Sequence, residues 1–291
     1  MKTYSFLEFM QDYPNDEVCL ERLLYERYGS DIFTCQGCGV IDSKFYKLKG
    51  RRVYSCVNCR YQVHPTAGTI FHKSETSLVK WMYALYLFSV SKNGVSAMEL
   101  QRHLKVTYKC AYRIGSKIRD LMEQNQDKLS GIVEADETYI GGTRKRWQQQ
   151  SHLANKTAVI GITERKGRAK AVVGFADATT ALPMINSYVE QGSIINTDES
   201  KIYARVKRNF EHQYVNHSAK QYVRGETHTN SIEGFWGQMK RSIDGTYHSV
   251  SPQQLQTYVN QFVFFYNHRG EQTFPILLKL AAQQGERVNQ T

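Results

Sequence analysis

Two cysteine pairs, Cys35-Gln36-Gly37-Cys38 and Cys56-Val57-Asn58-Cys59, stand seventeen residues apart near the start of a 291-residue chain. No other feature limits the fold so tightly. A two-residue gap lets a tight turn aim both thiols of a pair at one point, and two such turns complete the tetrahedral sulfur environment of a structural Zn²⁺. Gly37 and Gly39 supply positions for positive-φ corners. Tyr46, Val53, Tyr54 and Tyr61 suit short hairpin strands. The stretch therefore reads as a zinc ribbon holding one structural Zn²⁺ through Cys35, Cys38, Cys56 and Cys59. Four thiolates fill the coordination sphere, so His64 is not needed as a ligand and no position is left open for catalysis. A redox role for the two pairs is the competing reading. Cys19, alone in an apolar helical pattern, reads as an ordinary buried thiol.

The ribbon is basic, with Lys44, Lys47, Lys49, Arg51, Arg52 and Arg60. The whole chain has 38 Lys and Arg against 27 Asp and Glu, and 19 tyrosines. Positive charge mixed with aromatic residues is the composition of a nucleic-acid binder, although charge alone also fits an anionic membrane or an acidic partner. No run approaches the ~18 apolar residues of a membrane span. The start, Met1-Lys2-Thr3-Tyr4-Ser5-Phe6, lacks the apolar core of a signal peptide, which points to an intracellular protein and agrees with thiols used as ligands.

Four segments follow from periodicity. Residues 1–30 contain a helical stretch over Ser5 to Tyr28, and 31–72 form the ribbon. In 73–129 three helices are expected: one from Ser77 around Trp81, Leu85 and Phe88, one opened by the capping box Ser96-Ala97-Met98-Glu99, and one with Ala111, Ile114, Ile118 and Leu121 inside. Short helix, brief turn and longer helix give a helix-turn-helix outline. Lys109, Arg113 and Lys117, at i, i+4 and i+8, lie where a recognition helix would meet DNA. A plain helical connector with a solvated basic face is the alternative.

In 130–291 the pattern changes. A strand over Gly131 to Ile140 ends at Gly141-Gly142, and strands over Thr157 to Thr163 and Ala169 to Phe175 follow. A helix around Ala181 to Glu190 then leads to a short strand, Ser193 to Thr197. Three strands, a helix and a strand is the order of a ribonuclease H-like α/β domain. In it the first and fourth strands are neighbours, so Asp136 and Asp198 can share one site, although Glu134 and Glu137 flank the first and Glu199 follows the second, and the pattern alone does not choose among them. Asp177 reads as a turn residue. The basic loop Thr143-Arg144-Lys145-Arg146-Trp147 can grip DNA, with Trp147 stacking on an unpaired base, or can be merely solvated. A final helix runs from about Gln254 to Asn267.

Between them lies His228-Thr229-Asn230-Ser231-Ile232-Glu233-Gly234-Phe235-Trp236-Gly237-Gln238-Met239-Lys240-Arg241. Ile232, Phe235, Trp236, Met239 and Ile243 make one apolar helical face; Glu233, Gly237 and Lys240 make the face beside it. Asn230 and Glu233 also have the spacing of a capping box, which would satisfy the helix start and require no metal. If Glu233 instead joins Asp136 and Asp198, the converging carboxylates need a cation to neutralise them, commonly a pair of Mg²⁺ ions.

The blocks Asp136-Glu137-Thr138-Tyr139-Ile140-Gly141-Gly142, Asn196-Thr197-Asp198 and His228 to Trp236, together with the ribbon, resemble the zinc-ribbon DDE transposases of small bacterial insertion sequences, the group related to Merlin elements. The resemblance covers nearly the whole chain. It implies an α/β, ribonuclease H-like catalytic domain preceded by a zinc ribbon and a helix-turn-helix-like domain. It also implies that Asp136, Asp198 and Glu233 are the catalytic triad and bind two Mg²⁺ or Mn²⁺ ions. Thirty-four residues separate Asp198 from Glu233, and Lys240 lies seven after Glu233, both similar to the spacing of many such enzymes; Lys240 would hold a phosphate. Asn230 is the runner-up third ligand, and His228 is a candidate for orienting a phosphate or a water. The expected activity is metal-dependent cleavage and transfer of DNA strands. The expected partners are the terminal inverted repeats, target DNA and a second copy of the chain, as a homodimer or higher multimer, in the nucleoid of a prokaryotic cytoplasm. A structure-selective nuclease on the same fold and a non-catalytic DNA-binding relative are the alternatives.

Overall fold

The computed structural model describes residues 4–141, 156–215 and 228–287, with side chains to 283. Two compact units emerge, one from the residues up to Leu121 together with those from Gly270 on, the other from Met122 to Arg269.

The first unit begins with α1 (Phe6–Asp12) and α2 (Asp16–Tyr28) rather than one helix over Ser5 to Tyr28. Pro14 has no amide hydrogen to continue α1, and the Asn15 side chain accepts from Glu17 and Val18 N–H to start α2 afresh. Strands β1 (Ile32–Phe33), β2 (Ser43–Lys47), β3 (Tyr54–Cys56) and β4 (Gln62–Val63) form a four-stranded antiparallel sheet in that order. Three helices follow, α3 (Leu78–Val90), α4 (Ala97–Leu104) and α5 (Tyr108–Asp120). Ser77, Ser96 and Thr107 open them, each side chain accepting from the amide three residues on.

The second unit is built on a mixed sheet. Its strands are β5 (Ile132–Ile140), β6 (Thr157–Glu164), β7 (Ala169–Gly174), β8 (Ile194–Thr197) and β9 (Glu211–Tyr214), in spatial order β7-β6-β5-β8-β9. The first three pair antiparallel, whereas β8 runs parallel to β5 and β9 parallel to β8. Strand β9 had no counterpart in the sequence pattern. The helices are α6 (Ala178–Tyr188), started by Asp177, α7 (Asn230–Ser242) and α8 (Leu255–Asn267).

Side chains alternate between the two faces of the sheet. Val133, Ala135, Ile160 and Ile162 join α6 and Tyr203 in one core, while Ile140, Val159, Ala169 and Ala171 join α7 and α8 in the other. The seam read from sequence on α7 is buried there: Ile232, Phe235, Trp236, Met239 and Ile243. Each such side chain contributes about 1.5–3 kcal/mol of burial. Helix propensities differ by only about 0.7 kcal/mol per residue or less. Packing, not propensity, makes α7 a helix.

A last helix, α9 (Thr273–Arg287), follows α8, so the helix at 255–267 is not the final one. Residues 270–291 group with the first unit rather than with the sheet to which the sequence division assigned them. Phe274 stacks on Tyr4 and meets Phe9 edge-on, and Thr273 Oγ1 donates to the Ser89 carbonyl.

Strand β7 lies at one edge of the large sheet, and side-chain amides occupy its outward peptide groups. Asn267 bonds both N–H and C=O of Ala169, Gln124 bonds both of Ala171, and Gln256 Oε1 accepts from Val173 N–H at 2.7 Å. A capped edge cannot template pairing with another chain. We expect Gln256→Leu to cost about 1–3 kcal/mol, because the Val173 amide loses its partner. A lower urea midpoint with increased aggregation would show this; an unchanged midpoint would mean that water serves that amide equally well.

Candidate active site and metal centre

The ribbon cysteines converge as their spacing requires. Their four Sγ atoms all lie within 4.8 Å of one another, and Cys35 and Cys59 Sγ are 3.6 Å apart. A tetrahedron of sulfurs at a Zn–S distance of about 2.3 Å has edges of about 3.8 Å, so the quartet fits one Zn²⁺. Gly37 N–H points to Cys35 Sγ at 3.4 Å, and Ser43 Oγ lies 3.0 Å from Cys56 Sγ. Gly39 has the expected positive φ of 72°. Gly37 does not; it is glycine because a Cβ there would come within 2.6 Å of Tyr61. His64 is not part of the cluster.

In the second unit the last pair of the β5–β8 ladder is Glu134 opposite Asn196. Asp136 and Asp198 each lie two residues further along these parallel neighbours. Asp136 is mostly buried, and its carboxyl is pushed up to about 7, first by desolvation and then by the negative charges of Glu137 and Asp198. Glu137 is also raised, first by burial and further by Asp198, against the pull of a hydrogen bond from Tyr203 Oη at 3.0 Å. Tyr203 is itself fully buried, and burial and the same carboxylates drive its phenol well above its ordinary value. The three acids repel one another where the middle of β5 lies beside the end of β8. A proton or a cation would relieve that repulsion.

Helix α7 meets this point through Trp236, whose indole N–H donates to Asp136 Oδ2 at 3.1 Å. Gly161, opposite Asp136 on β6, makes the contact possible. A Cβ there would stand 2.5 Å from the Trp236 ring. Sequence periodicity assigned Trp236 only to the core, and neither Gly161 nor Tyr203 carried any signal.

Glu233 is exposed on α7, and Thr229 Oγ1 donates to its Oε1 at 2.9 Å. The Asn230–Glu233 capping box does not form: Asn230 is the first helical residue and is exposed, and Thr229 stands at the cap position without a side-chain cap bond. The helix start is served by Glu134 instead. Its carboxylate, with 0% exposure, accepts from Ser231 and Ile232 N–H and from Ser231 Oγ. His228 Nδ1 lies 3.2 Å from Glu134 Oε1 and 3.4 Å from Asn230 N. It cannot donate to one and accept from the other at once; the shorter contact to a charged acceptor assigns the hydrogen to the Glu134 side.

Among the described residues, the cysteines are the only group of three or more His, Cys, Asp and Glu ligand atoms gathered within 4.8 Å. Asp136 and Asp198 interact electrostatically, and Glu233 stands on the helix beside them without closing to that distance. Lys240 is exposed two turns further along α7. Arg144, Lys145, Arg146 and Trp147 lie outside the described residues. On α5, Lys109 and Arg113 are exposed beside Tyr108 and Tyr112. Lys117 is not on the same open face: it is half-buried and donates to the Ile70 carbonyl at 3.3 Å.

Two outcomes follow from these geometries. Cys56→Ser removes one thiolate, and the ribbon should lose its Zn²⁺ and its fold, seen as loss of bound zinc by metal analysis and proteolysis within residues 31–72. Retained stoichiometric zinc would refute the four-sulfur site. The raised carboxyl of Asp136 has a defined sign. The folded chain holds that proton more tightly than the unfolded one, so the associated stability is complete below about pH 4 and is lost as pH rises through about 7. In metal-free buffer near pH 8, Asp136→Asn should therefore be more stable than the parent by roughly 1–3 kcal/mol, with the gap closing toward low pH. Equal stability of the two at every pH would exclude a strained carboxylate.

Two family models match this chain. The ISXO2-like transposase domain matches residues 128–267, and the transposase zinc-ribbon domain matches residues 14–62. The chain is 25% identical over 247 residues to a protein of the transposable element ISH50 of Halobacterium salinarum, which is described as uncharacterised; the match spans 79% of this chain and 82% of that one. A chain of a simian T-cell lymphotropic virus intasome, solved by cryo-electron microscopy with the PP2A regulatory subunit B56 gamma, matches at 13% identity and a TM-score of 0.30 over 63% of this chain and 65% of that one. That last likeness is too low to argue from. The two domain matches fall on the cysteine quartet and on the sheet that carries Asp136 and Asp198, and the chain belongs to the zinc-ribbon transposases of insertion sequences.

Proposed function

We propose that this chain is a DDE transposase that binds the terminal inverted repeats of its element and cuts and joins DNA strands. In this reading the Met122–Arg269 unit is a ribonuclease H-like catalytic domain, α4 and α5 form a helix-turn-helix, and the divisions at residues 30, 72 and 129 separate functional segments. The observation that carries it is the crowding of Asp136 with Glu137 and Asp198 beside the β5–β8 ladder. A carboxyl pushed up to about 7 by burial and by two neighbouring acids is suited to a divalent cation. Asp136, Asp198 and Glu233 are the residues assigned to two Mg²⁺ or Mn²⁺ ions. Bound there, the ions would neutralise the carboxylates, activate an attacking oxygen and stabilise a leaving one.

The remaining work belongs to the protein. Trp236 holds one Asp136 oxygen in place, leaving the other for a ligand. Tyr203 does the same for Glu137. Glu233 would give up its Thr229 hydrogen bond to help hold a metal ion. Asn230 stands at the same helix start as an alternative ligand. Lys240 is suited to a phosphate further along α7, and Lys109 and Arg113, with Arg144 to Trp147, to the DNA backbone. Lys117, tied to a carbonyl, has a smaller share. Little covalent chemistry is asked of the side chains; positioning and charge neutralisation supply the rate. Two DNA ends brought together call for at least a dimer.

The test is a labelled DNA carrying the element's own end, incubated with Mg²⁺ and either the parent chain or Asp198→Ala. Nicking and joining by the parent, both reduced at least about 10³-fold in the variant, is the expected result. Nicking without joining by the parent would identify a nuclease. Tight binding with neither activity would identify a DNA-binding relative, with Glu233 a surface residue of α7.

A further inference from the structure

Glu134 is the only carboxylate of the second unit with no exposed surface among the described residues, and the proposed reaction gives it no task. It precedes Asp136 by two residues on the same face of β5. Its two oxygens are fully engaged. Oε2 accepts from Ser231 N–H at 2.7 Å and Ile232 N–H at 3.1 Å. Oε1 accepts from Ser231 Oγ at 3.0 Å and faces His228 Nδ1 at 3.2 Å and Arg165 Nε at 3.5 Å. Nothing remains of it to ligate a metal.

The partners decide what it does. Three of the contacts come from the first turn of α7, where unpaired amides and the helix dipole favour a negative charge. A helix normally receives that charge from its own N-cap residue. Thr229 gives no such bond here, and the charge comes from a strand ninety-seven residues earlier. The flanking positions on the sheet are polar too: Thr163 on β6 and Asn196 on β8 pair with Glu134 in register and are buried. This polar row lies beneath the start of α7.

We propose that Glu134 is a positioning residue. It pins the first turn of α7 and His228 to the central strand, and so sets how far Glu233 and Asn230 stand from Asp136 and Asp198. Trp236 on Asp136 is the second pin, one turn along the same helix. With both in place α7 can neither slide along β5 nor rotate about its axis. This assignment rests on the reading of Asp136, Asp198 and Glu233 as metal-binding groups.

The experiment compares the full-length zinc-loaded chain with Glu134→Gln, an isostere that keeps the volume but loses the charge. Three quantities are read: amide exchange at Ser231 and Ile232, Mn²⁺ titration followed by paramagnetic broadening of the Trp236 indole signal, and Mg²⁺-dependent strand cleavage. The expected variant keeps its cooperative melt and its broadening. Its Ser231 and Ile232 amides exchange at least about tenfold faster, while Met239 is unchanged. Its half-saturating Mn²⁺ and its cleavage rate each worsen roughly 10–100-fold. Protected amides with unchanged metal affinity would overturn the proposal. Protected amides with no broadening at all would also overturn it, by making Glu134 a ligand. If the parent itself shows no broadening or cleavage, the metal-site reading falls, and exchange alone judges the pin. Should Glu134→Gln not fold, Ser231→Ala removes one donor and must show the same changes at smaller size.

Discussion

The docking of α7 on β5 is the contact on which the second unit depends. A carboxylate moved out of water costs several kcal/mol unless it is fully paired. Glu134 meets that condition with two amides, a hydroxyl, a histidine and an arginine. Hydrogen bonds to a charged group contribute about 1.5–3 kcal/mol each, so the gain is of the same order as the cost. The docked arrangement is retained because losing any one partner would leave a buried charge short of donors. Affinity comes from elsewhere, chiefly the apolar seam from Ile232 to Ile243. Polar groups fix the register of the helix, and apolar groups hold it down.

Further along the same strand the balance reverses. Asp136, Glu137 and Asp198 are crowded where burial and mutual repulsion oppose their ionisation. The Trp236 indole and the Tyr203 phenol each donate one hydrogen bond, to Asp136 and Glu137, and Ser200 N–H donates to Asp198 Oδ1. Two residues along β5 thus separate a satisfied carboxylate from an unsatisfied one. Glu134 is fully paired and Asp136 is crowded by like charges, a contrast of environment rather than of residue type.

Much of this is legible in the residue pattern alone. The cysteine spacing locates the ribbon, and a period of 3.6 locates α7 and its buried face residue by residue. Three serine and threonine caps in the first unit stand near where the pattern places helix starts. Local signals fail where a distant partner intervenes. Asn230 and Glu233 match a capping box in spacing, yet Glu233 N–H bonds the Thr229 carbonyl, Asn230 N–H faces His228 Nδ1, and Glu134 takes the Ser231 and Ile232 amides. The stretch from Ser5 to Tyr28 has a single amphipathic pattern, yet Pro14 divides it, since a missing amide overrides periodicity. Strand β9 has no alternating pattern because it is a half-exposed edge. Helix α9 does carry the helical period, with Phe274, Leu277, Leu278, Ala281 and Ala282 buried, and Gly270, at a positive φ of 87°, separates it from α8.

By itself the sequence determined which residues could serve: four thiols at ligand spacing, acids on or just after two strands, and a helix with one apolar face. Those are local properties, written in spacing and period. Only the tertiary structure decided which acid is paired by the protein and which is crowded by other acids. That choice depends on what lies opposite each carboxylate across the sheet and on the helix above it, at separations of about a hundred residues. Gly161 is the clearest case. In the sequence it is one glycine among 20, and in the fold it is the gap through which Trp236 reaches Asp136.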